Sequence, residues 1–473
     1  MPKIKFGTDG WREIMAREFT FENVKFVTQA IAEYVCAHGL ADRGIVIGYD
    51  NRFLSEHFAR ASAEVLCGNG IKVFMTGRAT PTPVTAFAVK HLSAAGAVML
   101  TASHNPPENN GIKFIPEYAG PALPYITDEL EVNVNRVTET CKYIELGYDK
   151  AVADGLVEDI DPFEEYLSHL KSIININVIG KAGLKIVVDP MFGAGIGYLD
   201  RLLRDAGCDV KVIHGYRDPL FGGSMPEPSA KVLTELREQV IAEGAHLGLA
   251  MDGDADRFGI IDRDGTYIIP NQVLYLIYHH LIESRGIKGP VARSVATTHM
   301  LDRIAVHYGL EIDETPVGFK YIGESMMKKG SILGGEESGG MSIAGHIPEK
   351  DGILAAALIA ELVAVHKKPV IEILKEIEDR FGTLVSARID IHTSPENKEQ
   401  VLKILREAQL TDIAGLAVVK TLAVDGKKFV LEDGSWILVR ASGTEPLFRI
   451  YCESEDMEKM HKLQSAMKVL LAL

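Results

Sequence analysis

Gly96-Ala-Val-Met-Leu-Thr-Ala-Ser-His-Asn-Pro-Pro107 decides how the chain is read. Small and apolar residues run uncharged to Thr101, as in a buried strand that delivers a serine to its end. Two prolines then forbid regular structure, and Asn105, placed before one of them, is pushed into an extended conformation. Ser103 and His104 therefore sit on a stiff loop, with Gly111-Ile-Lys-Phe114 following. The serine lacks the G-x-S-x-G surroundings of a hydrolase elbow. An ordinary strand-to-loop corner would look the same, so the rest of the chain must decide.

Strand and helix alternate on both sides of this corner. Upstream, Gly7-Thr-Asp-Gly-Trp-Arg12 is turn-rich. After it come an amphipathic helix near 21–38, a buried strand over 44–50 ending in Asp50-Asn-Arg52, a helix near 56–68 and a strand at 72–75. Pro81-Thr-Pro83 opens the next helix. After an acidic stretch at 149–161, read as irregular, the order restarts with a strand at 184–189, a glycine turn at 191–195, a helix to 206, and strands at 209–213 and 247–252. It appears again as a strand at 289–293, a helix at 300–308 and a strand at 332–336. Three units, each with an early strand before a helix and a late strand ending in an unusual loop, predict an internal triplication. Beyond helices at 353–365 and 371–381 the composition shifts. The last ~90 residues read as a separate α+β unit of about the minimum stable size, with strands at 436–440 and 448–451 around a polar loop and a closing helix at 457–471.

Length and composition agree with several domains. A chain of 473 residues is too long for one core and divides into roughly three or four domains of ~100–150 residues. Hydrophobic residues make up 47% and charged residues 24%, a globular balance. The longest apolar run, 352–360, is broken by Glu361, short of the ~20 residues a membrane span needs. No membrane partner is expected. The first ten residues lack a secretory pattern, so the chain is expected in the cytoplasm. Cys36, Cys67, Cys141, Cys208 and Cys452 are scattered and never form C-x-x-C, which argues against a disulfide framework and a zinc site. A net charge of −15 disfavours nucleic acid and requires any anionic ligand to find local positive patches.

Asp252-Gly-Asp-Ala-Asp-Arg257 is the most specific chemical stretch after the serine. Three carboxylates at alternate positions, leaving a buried strand, repel one another unless a hard cation lies between them, which points to magnesium or a similar oxygen-seeking ion. A calcium EF-hand is excluded, because Arg257 and Arg263 stand where its Gly and Glu belong. Gly334-Gly-Glu-Glu-Ser-Gly-Gly340 lets a ligand approach bare backbone, and Glu336 and Ser338 offer an acceptor and a donor to neighbouring hydroxyls. Arg440-Ala-Ser-Gly-Thr-Glu-Pro446 combines an arginine, two hydroxyls and a glycine turn into a nest that fits a phosphate dianion. Nucleotide signatures fail: Tyr198 stands at the third Gly of a G-x-G-x-x-G reading, and no P-loop occurs.

These four stretches, in this order, resemble those of the α-D-phosphohexomutase family of phosphoglucomutases and phosphomannomutases. The resemblance covers nearly the whole chain and implies three similar α/β domains plus a smaller α+β C-terminal domain around a central cleft. The expected boundaries are 1–155 with the phosphoserine loop, 156–260 with the metal loop, 261–375 with the sugar-recognition loop and 376–473 with the phosphate-binding loop. It further implies that Asp252, Asp254, Asp256 and phosphorylated Ser103 hold Mg2+, and that a hexose 1,6-bisphosphate serves as activator. Glu336 and Ser338 would hold paired hydroxyls, and Arg440, Ser442, Gly443 and Thr444 the phosphate that is not reacting. His346-Ile-Pro-Glu-Lys350 resembles the stretch in phosphoglucomutases whose His and Lys reach the ligand. The implied reaction moves phosphate between O1 and O6 of a hexose. It needs a base, for which His104 and Lys113 are the candidates, and charge stabilisation from Arg12 and Arg257. Glu337 matches phosphoglucomutases, where phosphomannomutase-type members often carry Met and phosphoglucosamine mutases Gln. Gly339-Gly340 departs from the Phe that phosphoglucomutases commonly place there. Glucose 1-phosphate is the expected substrate, with mannose also accepted and glucosamine the alternative. A sugar-phosphate phosphatase and a non-catalytic sensor are the readings from other classes.

Overall fold

A computed structural model describes residues 4–471 except 8 and 443–445. Its strands fall into four sheets. The first contains β1 (Trp11–Ile14), β2 (Ile45–Tyr49), β3 (Val73–Thr76), β4 (Gly96–Leu100), β5 (Asn109–Pro116) and β6 (Val157–Ile160), in the order β1-β5-β4-β2-β3-β6. The second contains β7 (Lys185–Asp189), β8 (Asp209–Val212), β9 (Leu247–Met251), β10 (Phe258–Asp262) and β11 (Tyr267–Ile268), in the order β11-β10-β9-β7-β8. The third contains β12 (Val291–Ser294), β13 (Ile312–Thr315), β14 (Leu333–Gly335) and β15 (Met341–Ile343), in the order β13-β12-β14-β15.

One pattern repeats in all three. A central strand (β2, β7, β12) pairs in parallel with two neighbours, and the later neighbour (β4, β9, β14) pairs antiparallel with the strand that follows it. Helices connect the parallel strands, as such crossovers require. The turn between the last parallel strand and its antiparallel return is therefore one topological position met three times. It holds the Ser103 loop, the Asp252 loop and the Glu336 loop. This is the triplication expected from the sequence.

The acidic stretch at 149–161, expected to be irregular, instead holds a helix (Tyr148–Ala153) and β6, which pairs in parallel with β3. Glu158 and Asp159 face solvent on this edge strand, and their charge hides its strand character. The first sheet thus runs to Ile160 and the second to Ile268, past the boundaries expected at 155 and 260.

Helix Gly352–His366 carries the longest apolar run and is buried almost all round, the expected fate of a helix without a polar face. The charge that breaks its run is satisfied: Glu361 lies 3.1 Å from His280 and accepts from Asn175 N at 2.6 Å. One continuous apolar core joins parts of the first three units through this helix. No helix among the described residues is long and apolar enough to cross a membrane.

The fourth sheet is antiparallel throughout. It contains β16 (Val385–His392), β17 (Asp412–Ile413), β18 (Leu416–Leu422), β19 (Lys427–Leu431), β20 (Trp436–Ala441) and β21 (Leu447–Ser454), with its own core closed by helix Met457–Leu471. It docks on the third unit through Trp436, Leu438 and Tyr451 against Val295 and Ala296. At the same seam the Lys428 ammonium donates to Val295 O and Glu314, both at 2.8 Å.

Candidate active site

Ser103 leaves β4 in the left-handed region, at φ +49°, and is 1% exposed. Its N–H donates to Thr101 Oγ1 at 2.8 Å, and Thr101 Oγ1 donates in turn to Asp50 at 2.6 Å. Its own hydroxyl donates to Asp252 Oδ2 at 2.7 Å, with His104 Nδ1 3.3 Å away. The two loops approach so closely that a Cβ on Gly253 would stand 2.6 Å from the Ser103 carbonyl, so glycine is needed there. The left-handed conformation at Ala255, φ +59°, curls the acidic loop so that its carboxylates converge.

Oxygens of Asp252, Asp254 and Asp256 lie within 4.8 Å of one another, all buried. One oxygen of Asp254 accepts from Thr82 Oγ1 (2.7 Å) and Lys113 (2.9 Å), and one of Asp256 accepts from Lys113 (3.1 Å). The other oxygen of each, Oδ1, is buried without a hydrogen-bond partner. Burial, then the charges of Asp254 and Asp256, push the Asp252 carboxyl well above the usual range. Burial also opposes ionisation of Asp254, but Lys113 and Thr82 outweigh it and hold that carboxyl low. Two orphaned carboxyl oxygens and a third carboxyl group that accepts from the Ser103 hydroxyl fit a small divalent cation, which takes hard oxygen donors.

Lys113 is not the surface lysine that its place after a loop would allow. It is 2% exposed and bonded to Asp9 (2.9 Å), Asp254 and Asp256. Burial disfavours its charge, yet the three carboxylates outweigh that cost and hold it firmly as an ammonium. Lys350 joins the cluster, 3.4 Å from both Asp9 and Asp256 and 3.1 Å from Glu349. His104 is the opposite case: burial, then Arg257 and Arg12, drive its imidazole well toward the neutral form. Neutral imidazole accepts a proton and ammonium does not, so of the two candidates His104 suits the base.

Arg12 donates to Asn105 Oδ1 at 3.1 Å and lies 3.7 Å from Asp9, while Arg257 lies 3.8 Å from Glu227. Each has a buried Nε without a partner, a donor free for an oxyanion. Glu336 follows β14, buried, and accepts from Gly318 N at 2.8 Å. Burial, then the neighbouring Glu337, raises its carboxyl to about 7. Ser338 is half-buried beside it. Gly340 explains the departure from Phe: a Cβ there would stand 2.4 Å from the Lys350 stem, so the bare backbone makes room for that lysine.

His346, expected to reach the ligand, sits in a buried polar network. Its side chain is fully buried, with Nε2 2.9 Å from Asp351 and Nδ1 3.0 Å from His169. Asp351 also takes the Tyr166 hydroxyl at 2.6 Å and caps helix Gly352–His366. The polar network at the helix start therefore holds the ring, while Lys350 joins the Asp9 and Asp256 carboxylates. On the fourth unit, Arg440, next to last in β20, has its Nε donating to Asp425 at 2.8 Å. Ser442 is buried, its carbonyl accepting from Lys398 at 2.7 Å. Gly443 and Thr444 lie outside the described residues.

Sequence reasoning missed Asp9, which pairs with Lys113, Lys350 and Arg12, and Thr82, which grips Asp254 through its hydroxyl and its N–H. Asp9 lies within a stretch singled out only for its arginine, and Thr82 between two prolines read only as a helix start. An acid beside an arginine in a glycine turn was the available signal.

Four family models match in succession, described as phosphoglucomutase/phosphomannomutase alpha/beta/alpha domains I (residues 3–140), II (164–265) and III (269–381) and the C-terminal domain (396–468). The chain is 32% identical over 468 residues to a phosphoglucomutase/phosphomannomutase of Thermococcus kodakarensis, covering 98% of each. It is 33% identical over 467 residues to a "probable phosphoglucosamine mutase" of Pyrococcus furiosus, covering 98% of this chain and 97% of that one. A crystal structure from Thermus thermophilus, provisionally described as a phosphomannomutase, superposes with a TM-score of 0.85 at 34% identity over all of both chains.

Proposed function

We propose a reaction from one premise: the chain belongs to the phosphoglucomutase/phosphomannomutase family, the α-D-phosphohexomutases, and is an enzyme of that kind. The reaction is transfer of a phosphoryl group between O1 and O6 of a hexose, with glucose 1-phosphate as preferred substrate and mannose 1-phosphate as a second. The observation that carries it is Ser103 Oγ against Asp252, beside two carboxylates that each keep an orphaned oxygen.

Ser103 carries the phosphoryl group. In the first half-reaction the bond from phosphorus to Ser103 Oγ breaks as one to the sugar O6 forms, and the O6 proton passes to the His104 imidazole. The bound 1,6-bisphosphate turns over. Its 1-phosphoryl group is then taken by Ser103 Oγ, and His104 returns the proton to O1, so protons balance over the cycle. Arg12 and Arg257, each with an Nε left without a partner, stabilise charge on the transferring group. Asp252, Asp254, Asp256 and the serine phosphate would hold magnesium, which would supply positive charge beside the phosphorus under attack. Lys113 and Lys350 keep the acidic loop charged and placed.

Glu336 and Ser338 hold two sugar hydroxyls while Arg440 and Ser442 hold the other phosphate. Glu337 supports glucose over glucosamine. The test is phosphorus NMR of the protein with magnesium, a trace of glucose 1,6-bisphosphate and, separately, glucose, mannose or glucosamine 1-phosphate. A 6-phosphate forming fastest from glucose is expected. Fastest conversion of glucosamine would move the assignment to phosphoglucosamine mutase, free phosphate would indicate a phosphatase, and unchanged spectra in all three would refute the reaction for these sugars.

A further inference from the structure

We propose that Arg52 is a positioning residue for the phosphoryl-carrying serine, fixing its direction by gripping the backbone of the loop from the inside. The inference rests on the reading of Ser103 as that carrier. Arg52 follows β2 at the end of the first unit's central strand and is 0% exposed, so it meets no ligand. Nη2 donates to the carbonyls of Ser103 (2.6 Å) and Asn105 (2.7 Å), and Nη1 to those of Pro106 (2.8 Å) and Asn109 (2.9 Å). The prolines donate no N–H to these carbonyls; Pro106 O takes one bond from within the loop, from Asn109 N at 3.0 Å, and buried carbonyls left unpaired would be costly.

Asp50 completes the grip. It lies 3.2 Å from Arg52 Nε and accepts from Thr101 Oγ1, Ser55 Oγ (3.0 Å) and Arg52 N (3.0 Å). Thr101 Oγ1 in turn accepts from Ser103 N. Ser103 is thus held on both sides, its N–H through Thr101 to Asp50 and its C=O by Arg52. With both flanking peptide planes fixed, the Cα–Cβ direction is fixed too, and the Asp252 bond settles the hydroxyl. Asn51, between the two, faces the second unit and donates to Phe192 O (2.9 Å) and Gly193 O (2.8 Å), while the adjacent Ala194 N donates to Gly253 O (2.9 Å) in the acidic loop. The ring of Phe221, also from the second unit, lies 5.0 Å from the Arg52 guanidinium. Residues 50–52 therefore reference the serine loop and the acidic loop to one frame. A lysine cannot substitute, because three N–H groups on one nitrogen cannot span four carbonyls arranged for a planar fork.

Arg52→Lys, and Thr101→Val as a milder cut in the same network, are compared with the unaltered enzyme by two readouts. One is steady-state conversion of glucose 1-phosphate primed with glucose 1,6-bisphosphate; the other is hydrogen–deuterium exchange over residues 101–110. Arg52→Lys is expected to lower kcat about 10²-fold, the scale of an ångström-sized misplacement, and Thr101→Val about tenfold, with KM within about twofold in both. Exchange is expected to quicken in 101–110 and to stay unchanged in the third and fourth units. Unchanged kcat, a rise in KM in place of the loss in kcat, or exchange that does not quicken in the loop overturns the proposal. If Arg52→Lys does not fold, Thr101→Val decides by the same criteria. If the unaltered enzyme converts no sugar phosphate, the mutase reading fails, and the exchange pattern alone decides whether Arg52 holds the loop.

Discussion

The reacting end of the cleft and its far end are held differently. Ser103, Lys113 and the three aspartates are at most 2% exposed, and bonds from Thr82, Asp9, Lys350 and His104 converge on them. Arg440, on the fourth unit, is 16% exposed and leans on Asp425 from the edge of a domain with its own core. Charges fixed in a dry site need no reorganisation as a phosphoryl group moves, which is where rate comes from. A phosphate grip that must receive either end of one sugar works better on a partly exposed arginine. On the proposed function, the reacting groups are built into the first two units with Lys350 reaching in from the third, while recognition is lent by the third and fourth.

The strongest attempt to break this division is Ser103→Ala. Activity should fall at least ~10⁴-fold, the scale of removing a nucleophile, and mass spectrometry should find no phosphate on the protein after bisphosphate treatment. Residual turnover within tenfold of the unaltered enzyme would end the division. Next in size, chelating magnesium or making Asp254→Asn should lower kcat about 10²- to 10³-fold, the scale of losing electrostatic stabilisation at the transferring group. Arg440→Ala sharpens the contrast: KM for the sugar phosphate should rise tenfold or more, as expected for a lost charged hydrogen bond, with kcat changed less. A kcat loss larger than the KM rise would move Arg440 to the reacting end.

The smallest effect concerns pH. Glu336 titrates at about 7 in the folded protein, raised by burial and by Glu337. Only its ionised form is a full acceptor for two hydroxyls, so KM should fall a few-fold as pH rises through about 7. Stability runs the other way: a raised carboxyl favours the folded state below its unfolded pKa, and that contribution is lost as pH rises through the folded value. Glu336→Gln should flatten both profiles, and a KM profile unchanged by the substitution would remove Glu336 from the sugar site.

Legibility in the sequence followed local chemistry. Strands β4, β9 and β14 are uncharged runs ending in odd loops, and an Asp-Gly-Asp-Ala-Asp stretch advertises its own repulsion. Three kinds of feature were hidden. Arg52 and Asp9 act across distances in sequence that no local pattern reports, on carbonyls at 103–109 and on a lysine at 113. His346 carries the right residue type in the right stretch, yet a buried Tyr166–Asp351 pair from two different units captures it. Strand β6 was concealed by its charged edge.

Burial of the serine has a consequence for how the enzyme is switched on. At 1% exposure, with the neighbouring carbonyls held by Arg52, Ser103 offers no stretch of extended chain for a protein kinase to grasp. On the proposed function, its phosphate would arrive on a molecule small enough to reach the serine loop. Each copy would then keep the state its last visitor left behind, and the working fraction of the population would follow the supply of bisphosphate.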